Sequence, residues 1–358
     1  MSLNKSFFER ETLITAKVIA DSINETGQRL TTFELEFPRL ILSECNTHGA
    51  IEKNTSSSRA IPVSKMLDHI LQQNLKPIYF GSKKSGMQAG EELEGVSLEV
   101  AKGLWEDSLE KAVFYANQLD ALGVAKEVSN RITEPYQLIK AVWSATDWDN
   151  FFNLRLEKDA DPNICMLAYK MYEALSDSEP MLLKKGDFHL PYVGKYDIPV
   201  VYSDLGGYEY ETGYNVFYYD AEADHTVEHV LTLEEAIKYS VASCASVSYR
   251  ADGMTLEKAE KIWNMLVKSE VVHASPLTHI ATPIMEYTDY FDPDDLDTGY
   301  EVNLPHHPDS WEQGVTHMRR DGTLCSGRFA GWIQFRHTIQ NNTCWSFDFN
   351  KRMETFDE

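Results

Sequence analysis

The sequence predicts an α/β fold, a mixed central sheet flanked by long helices. Three observations point there. A strand-like run, Phe33 to Phe37, stands near the start, and long apolar-periodic stretches fill much of the remaining chain. Across 358 residues, 43% hydrophobic and 11% aromatic content is that of a globular chain able to bury a sizeable core.

Taken in order, residues 31–62 open as that strand and pass Pro38 into a helix start at Leu40-Ile41-Leu42. A dense polar segment comes next, with His48, Glu52, Asn54, Ser56, Ser57, Ser58 and Arg59. Residues 64–100 contain a Gly-, Ser- and Lys-rich loop, FGSKKSGMQAGEELEG, whose Lys83, Lys84 and Gln88 suit either an anionic ligand or plain solvation. Leu104, Ala112, Val113, Ala116, Leu119 and Leu122 predict an amphipathic helix over 99–122, closed by Gly123. Val124 to Ile132 is again apolar-periodic, and Glu134-Pro135 should end or kink it. Residues 136–155 read as a buried helix, and Asp161-Pro162 starts another through Leu175.

From 181 to 230 Gly, Tyr, Asp and Pro are frequent and periodicity weakens, which marks a candidate boundary. Thr232 and Glu235 form a capping box opening a helix over 233–244, which runs into a strand-like Ala245–Tyr249. Thr255 to Lys268 is a further helix, and 287–301 is acidic and loop-like.

The formal charge is −23, which argues against nucleic-acid or anionic-membrane surfaces. The five cysteines are scattered without a CxxC pair, as in a cytoplasmic protein with reduced thiols. The start lacks a signal-peptide core and no run reaches transmembrane length. No metal site is expected.

Three sites could carry chemistry. In the first, three hydroxyls followed by Arg59 suit a phosphate, or else form a polar surface loop. In the second, Asn150-Phe-Phe-Asn153-Leu-Arg155, an arginine among apolar neighbours must meet a partner; a salt bridge to Asp147 or Asp159 is one answer. The third is His279 in Ser275-Pro-Leu-Thr-His279, where a capped loop residue is the plainer alternative. Ser57 has no general base beside it and reads as a binding group.

These segments resemble the flavin-dependent thymidylate synthase family. His48, Asn54, Ser57 and Arg59 match four of the seven fixed positions of its Arg-His-Arg-x-x-Ser-x-Asn-x-x-Ser-x-Arg signature; Thr47, Gly49 and Glu52 depart from it. Asn150 and Arg155 are similar to the family helix whose arginine contacts the pyrimidine and whose asparagine meets the flavin. Arg131 lies in a segment like the one holding the nucleotide phosphate, and His279 in one beside the flavin. Ser144 and Thr146 replace flavin-contacting Asn and Arg. The pieces occur in reversed order, which implies a circular permutation. Residues 1–180 would form the core with the nucleotide and flavin motif, 181–230 an insertion or connection, and 231–358 the part completing the same fold.

The resemblance implies reductive methylation of dUMP at C5, with 5,10-methylenetetrahydrofolate, FAD and NADPH, in a homotetramer with shared sites. Ser56, Ser57, Arg59, Arg131 and Arg155 would hold substrate, Arg155 acting catalytically; His48, Asn54, Asn150 and His279 would hold flavin. A related dCMP or dUMP methylase or hydroxymethylase, and a non-catalytic nucleotide-binding homologue, are the alternatives.

Overall fold

Two ten-residue strands, β1 (Thr15–Asn24) and β2 (Arg29–Pro38), form an antiparallel hairpin turned at Gly27, whose φ of 85° favours a residue without Cβ. The computed structural model describes residues 5–86, 88–201, 208–220, 224–247, 253–269, 271–284, 311–354 and 356. After β2 come a short 3-10 turn and helix α1 (Leu42–Asn46), then β3 (Glu52–Thr55). Helices α2 (Val63–Gln73) and α3 (Gly95–Ala121) pack on each other through Val63, Met66, Leu67 and Ile70 against Leu109, Ala112, Val113 and Ala116. Gly123, at φ 79°, closes α3.

A four-residue α4 (Lys126–Ser129) and a 3-10 helix, Asn130–Tyr136, lead to β4 (Leu138–Ala145). The order β3-β4-β2-β1-β5, with β5 at Met181–Leu183, makes one five-stranded sheet. It is mixed: β1 and β5 run parallel and the other neighbours antiparallel. Helices α5 (Asp149–Arg155) and α6 (Pro162–Ser176) cover one face. The mixed α/β class read from the sequence is the observed one.

Residues 136–155 do not form one helix. The segment is a central strand and then a seven-residue helix, because β4 lies between β2 and β3 and is buried on both faces. Such a strand shows a continuous apolar run in place of alternation, and so imitates a buried helix. Helix α2, inside a region read only for its loop, carries Val63, Met66, Leu67 and Ile70 at helical spacing. Downstream, β6 (Gly194–Val201), β7 (Tyr208–Asp220) and β8 (His225–Leu231) form an antiparallel meander. It packs against α7 (Leu233–Ala245) and α8 (Leu256–Val267) around Leu190, Tyr214, Val216, Ile237 and Leu277. The Thr232/Glu235 capping box is present. The strand expected from Ala245 is absent as far as the chain is described: Ala245 ends α7 and a turn comes after it, while 248–249 lie outside the described residues, as does the acidic segment 287–301. A 3-10 turn, Ser275–His279, leads into β9 (Ala281–Pro283). Near the end, β10 (His317–Met318), β11 (Leu324–Ser326) and β12 (Phe329–Ala330) form a small sheet, and β13 (Trp332–Gln334) pairs with β9. No helix among the described residues is long and apolar enough to cross a membrane.

Candidate functional site

The edge strand β3 is the hub. His48 precedes it, Asn54 lies on it, and Ser56 to Arg59 come directly after it. Strand alternation sends Lys53 toward the apolar face, its ammonium 5.7 Å from the Trp143 ring centre, and turns Glu52 and Asn54 to the opposite face. Asn54 there donates to the Cys244 carbonyl at the end of α7, 3.3 Å away.

Arg155, the last residue of α5, meets His48. Its Nε–H donates to His48 Nε2 at 2.7 Å, and its Nη2 reaches Thr47 Oγ1 at 3.2 Å and the Glu44 carbonyl at 3.5 Å. An imidazole accepting at Nε2 carries its proton on Nδ1. Burial, with Arg155 and Lys53 nearby, pushes His48 down to about 4, so it stays neutral at pH 7. All three acceptors are therefore uncharged. The anticipated salt bridge to Asp147 or Asp159 does not form: Asp147 pairs with Arg319 at 2.5 Å, which holds its carboxyl below the usual range.

Beside this pair opens a cleft of about 220 Å³ lined by Asn46, His48, Gly49, Ile51, Glu52, Lys53 and Arg328. Glu52 is paired with Arg328 at 3.3 Å and accepts from Gln334 Nε2 at 3.2 Å. Lys53 donates to the His48 carbonyl, and burial beside Arg328 lowers its ammonium to about 8. In a chain of charge −23, Lys53 and Arg328 line one opening with a single carboxylate, Glu52, among its lining residues, and Arg155 is bonded to His48, which also lines it.

The Ser56–Arg59 loop is tied down from within. Ser56 exchanges bonds with Lys140 on β4, its N–H donating to the Lys140 carbonyl at 2.8 Å and its Oγ accepting from the Lys140 N–H at 3.2 Å. Asn130 donates to the Ser58 and Ile61 carbonyls at 2.8 and 2.9 Å, which docks the Arg131 segment on this loop. Ser57 Oγ accepts from the Arg59 N–H at 3.3 Å. Arg59 and Arg131 are exposed. A second, small pocket of about 40 Å³ is lined by Arg39, Ser56, Ser57, His69 and Gln137 among others. Arg39 donates to Gln137 Oε1 at 2.9 Å and to the Ser56 carbonyl at 3.0 Å.

On the face away from α5 and α6, a chain of side-chain hydrogen bonds crosses the sheet. It runs from Ser22 to His189 Nδ1 (2.9 Å), from His189 Nε2 to Thr32 (2.8 Å), on to Ser144 (2.6 Å), and then to His279 Nδ1 (2.8 Å). His279 Nε2 is buried and has no hydrogen-bond partner among the described residues. Burial lowers His279 to about 3 and His189 well below its ordinary value, so both rings are neutral. Each neutral ring needs one donated and one accepted bond, so the five groups must point in a common direction. One direction leaves His279 Nε2 a bare acceptor and the other makes it a donor.

The fold thus joins His48 directly to Arg155, docks the Arg131 segment on the Ser56–Arg59 loop, and sets Asn54 and His279 on the polar face. Asn150 is exposed in the first turn of α5. Arg39, Lys53, His189 and Arg328 were not singled out from the sequence. Each stands alone in its segment, and no spacing marks it. Of the groups gathered here, Arg328 is ion-paired with Glu52, the Asn54 amide already donates to the Cys244 carbonyl, and His279 Nε2 is fully buried.

No protein-family model matches the sequence, and no curated protein matches it. Among solved structures, the crystal structure of a UMP/dUMP methylase, PolB, from Streptomyces cacaoi, bound with 5-Br UMP, is similar to part of the chain. The TM-score is 0.38 at 12% identity, over 48% of this chain and 91% of that one. A likeness of that size carries no functional conclusion for this chain, whose own residues must supply it.

Proposed function

We propose that this chain is a flavin-dependent pyrimidine-nucleotide methylase of the thymidylate synthase kind, acting on dUMP with 5,10-methylenetetrahydrofolate as carbon donor and NADPH as reductant. The observation that carries the reading is the state of Arg155. A guanidinium held, among the described residues, only by neutral acceptors keeps its positive charge uncompensated yet fixed in direction. A carboxylate partner would have cancelled that charge. A fixed, uncancelled cation stabilises negative charge developing on a pyrimidine during attack through C5, with no reorganisation at the moment of reaction.

His48 acts here as a positioning residue. As a neutral ring it accepts from Arg155 Nε and leaves the outer edge of the guanidinium to the substrate. Ser56, Ser57, Arg59 and Arg131 hold the nucleotide, chiefly its phosphate; hydroxyls and exposed arginines on one docked loop suit a dianion. Arg328, entering the cleft lined by Gly49 and paired there with Glu52, would stand in for the cation that the resembled signature carries at that position. His48, Asn54, Asn150 and His279 would hold the flavin, with Lys53 and Arg328 toward its diphosphate. Bound and reduced, the flavin supplies the hydride; the chain's own work is alignment, charge and exclusion of water.

The test is direct. Purified protein is incubated with each pyrimidine monophosphate, methylenetetrahydrofolate and NADPH, and the nucleotide product is weighed. A gain of one methyl on dUMP, from a yellow protein whose flavin absorbance NADPH bleaches, is the result expected. A colourless protein that leaves every nucleotide unchanged sinks the reading, and a hydroxymethyl product or a dCMP preference moves it to the sister reaction.

A further inference from the structure

The buried chain on the polar face of the sheet has a direction, and the end far from His279 decides it. Its members are Ser22, His189, Thr32, Ser144 and His279, joined in that order by hydrogen bonds of 2.9, 2.8, 2.6 and 2.8 Å. Each is at most 3% exposed, so the links are shut off from solvent. Both rings are neutral. A hydroxyl brings one hydrogen and a neutral imidazole one, so each link holds one hydrogen and all must run the same way.

Two arrangements satisfy this. In the first, Ser22 donates to His189 Nδ1, His189 Nε2–H to Thr32, Thr32 to Ser144, and Ser144 to His279 Nδ1. The hydrogen of His279 is then on Nε2. In the second every bond is reversed: His279 Nδ1–H donates to Ser144, and Ser22 only accepts. The two differ in what they strand. Ser22 Oγ has no other hydrogen-bond partner among the described residues. The second arrangement therefore strands two groups, the Ser22 hydroxyl hydrogen and the His279 Nε2 lone pair; the first strands one, the His279 Nε2–H. Buried polar groups left unmatched are costly, so the arrangement that strands fewer prevails.

We propose that Ser22 and His189 are positioning residues that hold His279 as its Nε2–H tautomer, a hydrogen-bond donor, through a chain that crosses β1, β2 and β4. The group this ring serves is then an acceptor, a carbonyl oxygen or an unprotonated ring nitrogen, and not an N–H. Ser144 stands directly across from Glu52 on β3, a lining residue of the cleft, so the His279 end of the chain is the end beside it. Pyrimidine and flavin rings carry both kinds of acceptor, and that last step alone rests on the proposed function.

Nitrogen NMR of the full chain, labelled with 15N-histidine and free of nucleotide, tests the assignment without any activity. Long-range proton–nitrogen correlations at pH 7 tell a protonated ring nitrogen from a bare one, and His279→Gln and His189→Gln identify the two rings by loss of signal. Both should be Nε2–H. Ser22→Ala removes the deciding hydrogen and leaves the arrangements nearly balanced, so the Nδ1–H share should rise at both rings together, by about fivefold or more. Thr32→Val cuts the chain in the middle, and in that background Ser22→Ala should no longer reach His279. A role confined to packing would leave the tautomers where they were. Nδ1–H on His279 in the unaltered chain, or a His279 indifferent to Ser22→Ala, would overturn the assignment and leave the methylase reading intact. Failure to methylate any nucleotide would sink that reading and leave the tautomers unchanged.

Discussion

The two faces of the central sheet are built by opposite rules. One carries Phe33, Leu35 and Phe37 of β2 and Ile139, Ala141 and Trp143 of β4, sealed by α5 and α6. The other carries Ser22, Thr32, Ser144 and Asn54, met by His189, His279 and the end of α7. Both are buried, yet the first gains from area removed from water and the second only from having its polar groups matched. The apolar face anchors α5 and so aims Arg155; the polar face presents a histidine with one nitrogen unspent. Stability resides mainly on one side, and chemical options on the other.

Substitutions should separate the two. Phe33→Ala, fully buried on the apolar face and packed edge-on to Trp148, should cost about 3–5 kcal/mol in urea unfolding. A loss under 1 kcal/mol would mean that face can collapse around the gap. Ser144→Ala removes two links of the polar chain and leaves His279 without a partner on either nitrogen. It should cost about 1–3 kcal/mol while the far-ultraviolet spectrum stays unchanged.

Acidity should sharpen the contrast further. His279 and His189 have folded values below the unfolded one of about 6.5. The unfolded chain therefore binds more protons below that pH, so their contribution is complete above about 6.5 and shrinks as pH falls toward the folded values. From pH 7 to 5 His279 alone should remove roughly 2 kcal/mol, read as a lower urea midpoint. In a His279→Gln variant that pH dependence should flatten; an unchanged slope would remove His279 as its source.

Legibility followed locality. The Thr232–Glu235 capping box and the Gly123 stop are written within a few residues, and the chain obeys them. Strand β4 was not legible because its alternation is erased by burial on both faces, a condition its neighbours set. For the site, His48 and Arg155 could be named from their motifs, but their bond spans 107 positions and needed the fold. Arg328 and His189 join through contacts of 276 and 167 positions, and nothing near them in sequence announces it.

The measurement that bears most directly on the account is product formation by Arg155→Ala beside its unfolding curve. The residue is half-buried and, among the described residues, bonded only to neutral groups, so the variant should fold with a midpoint close to that of the unaltered chain. Its turnover should fall by about 10²–10³-fold or more, the loss associated with removing a fixed group from a developing charge. Full turnover by a folded Arg155→Ala protein would contradict the claim that this cation drives the reaction.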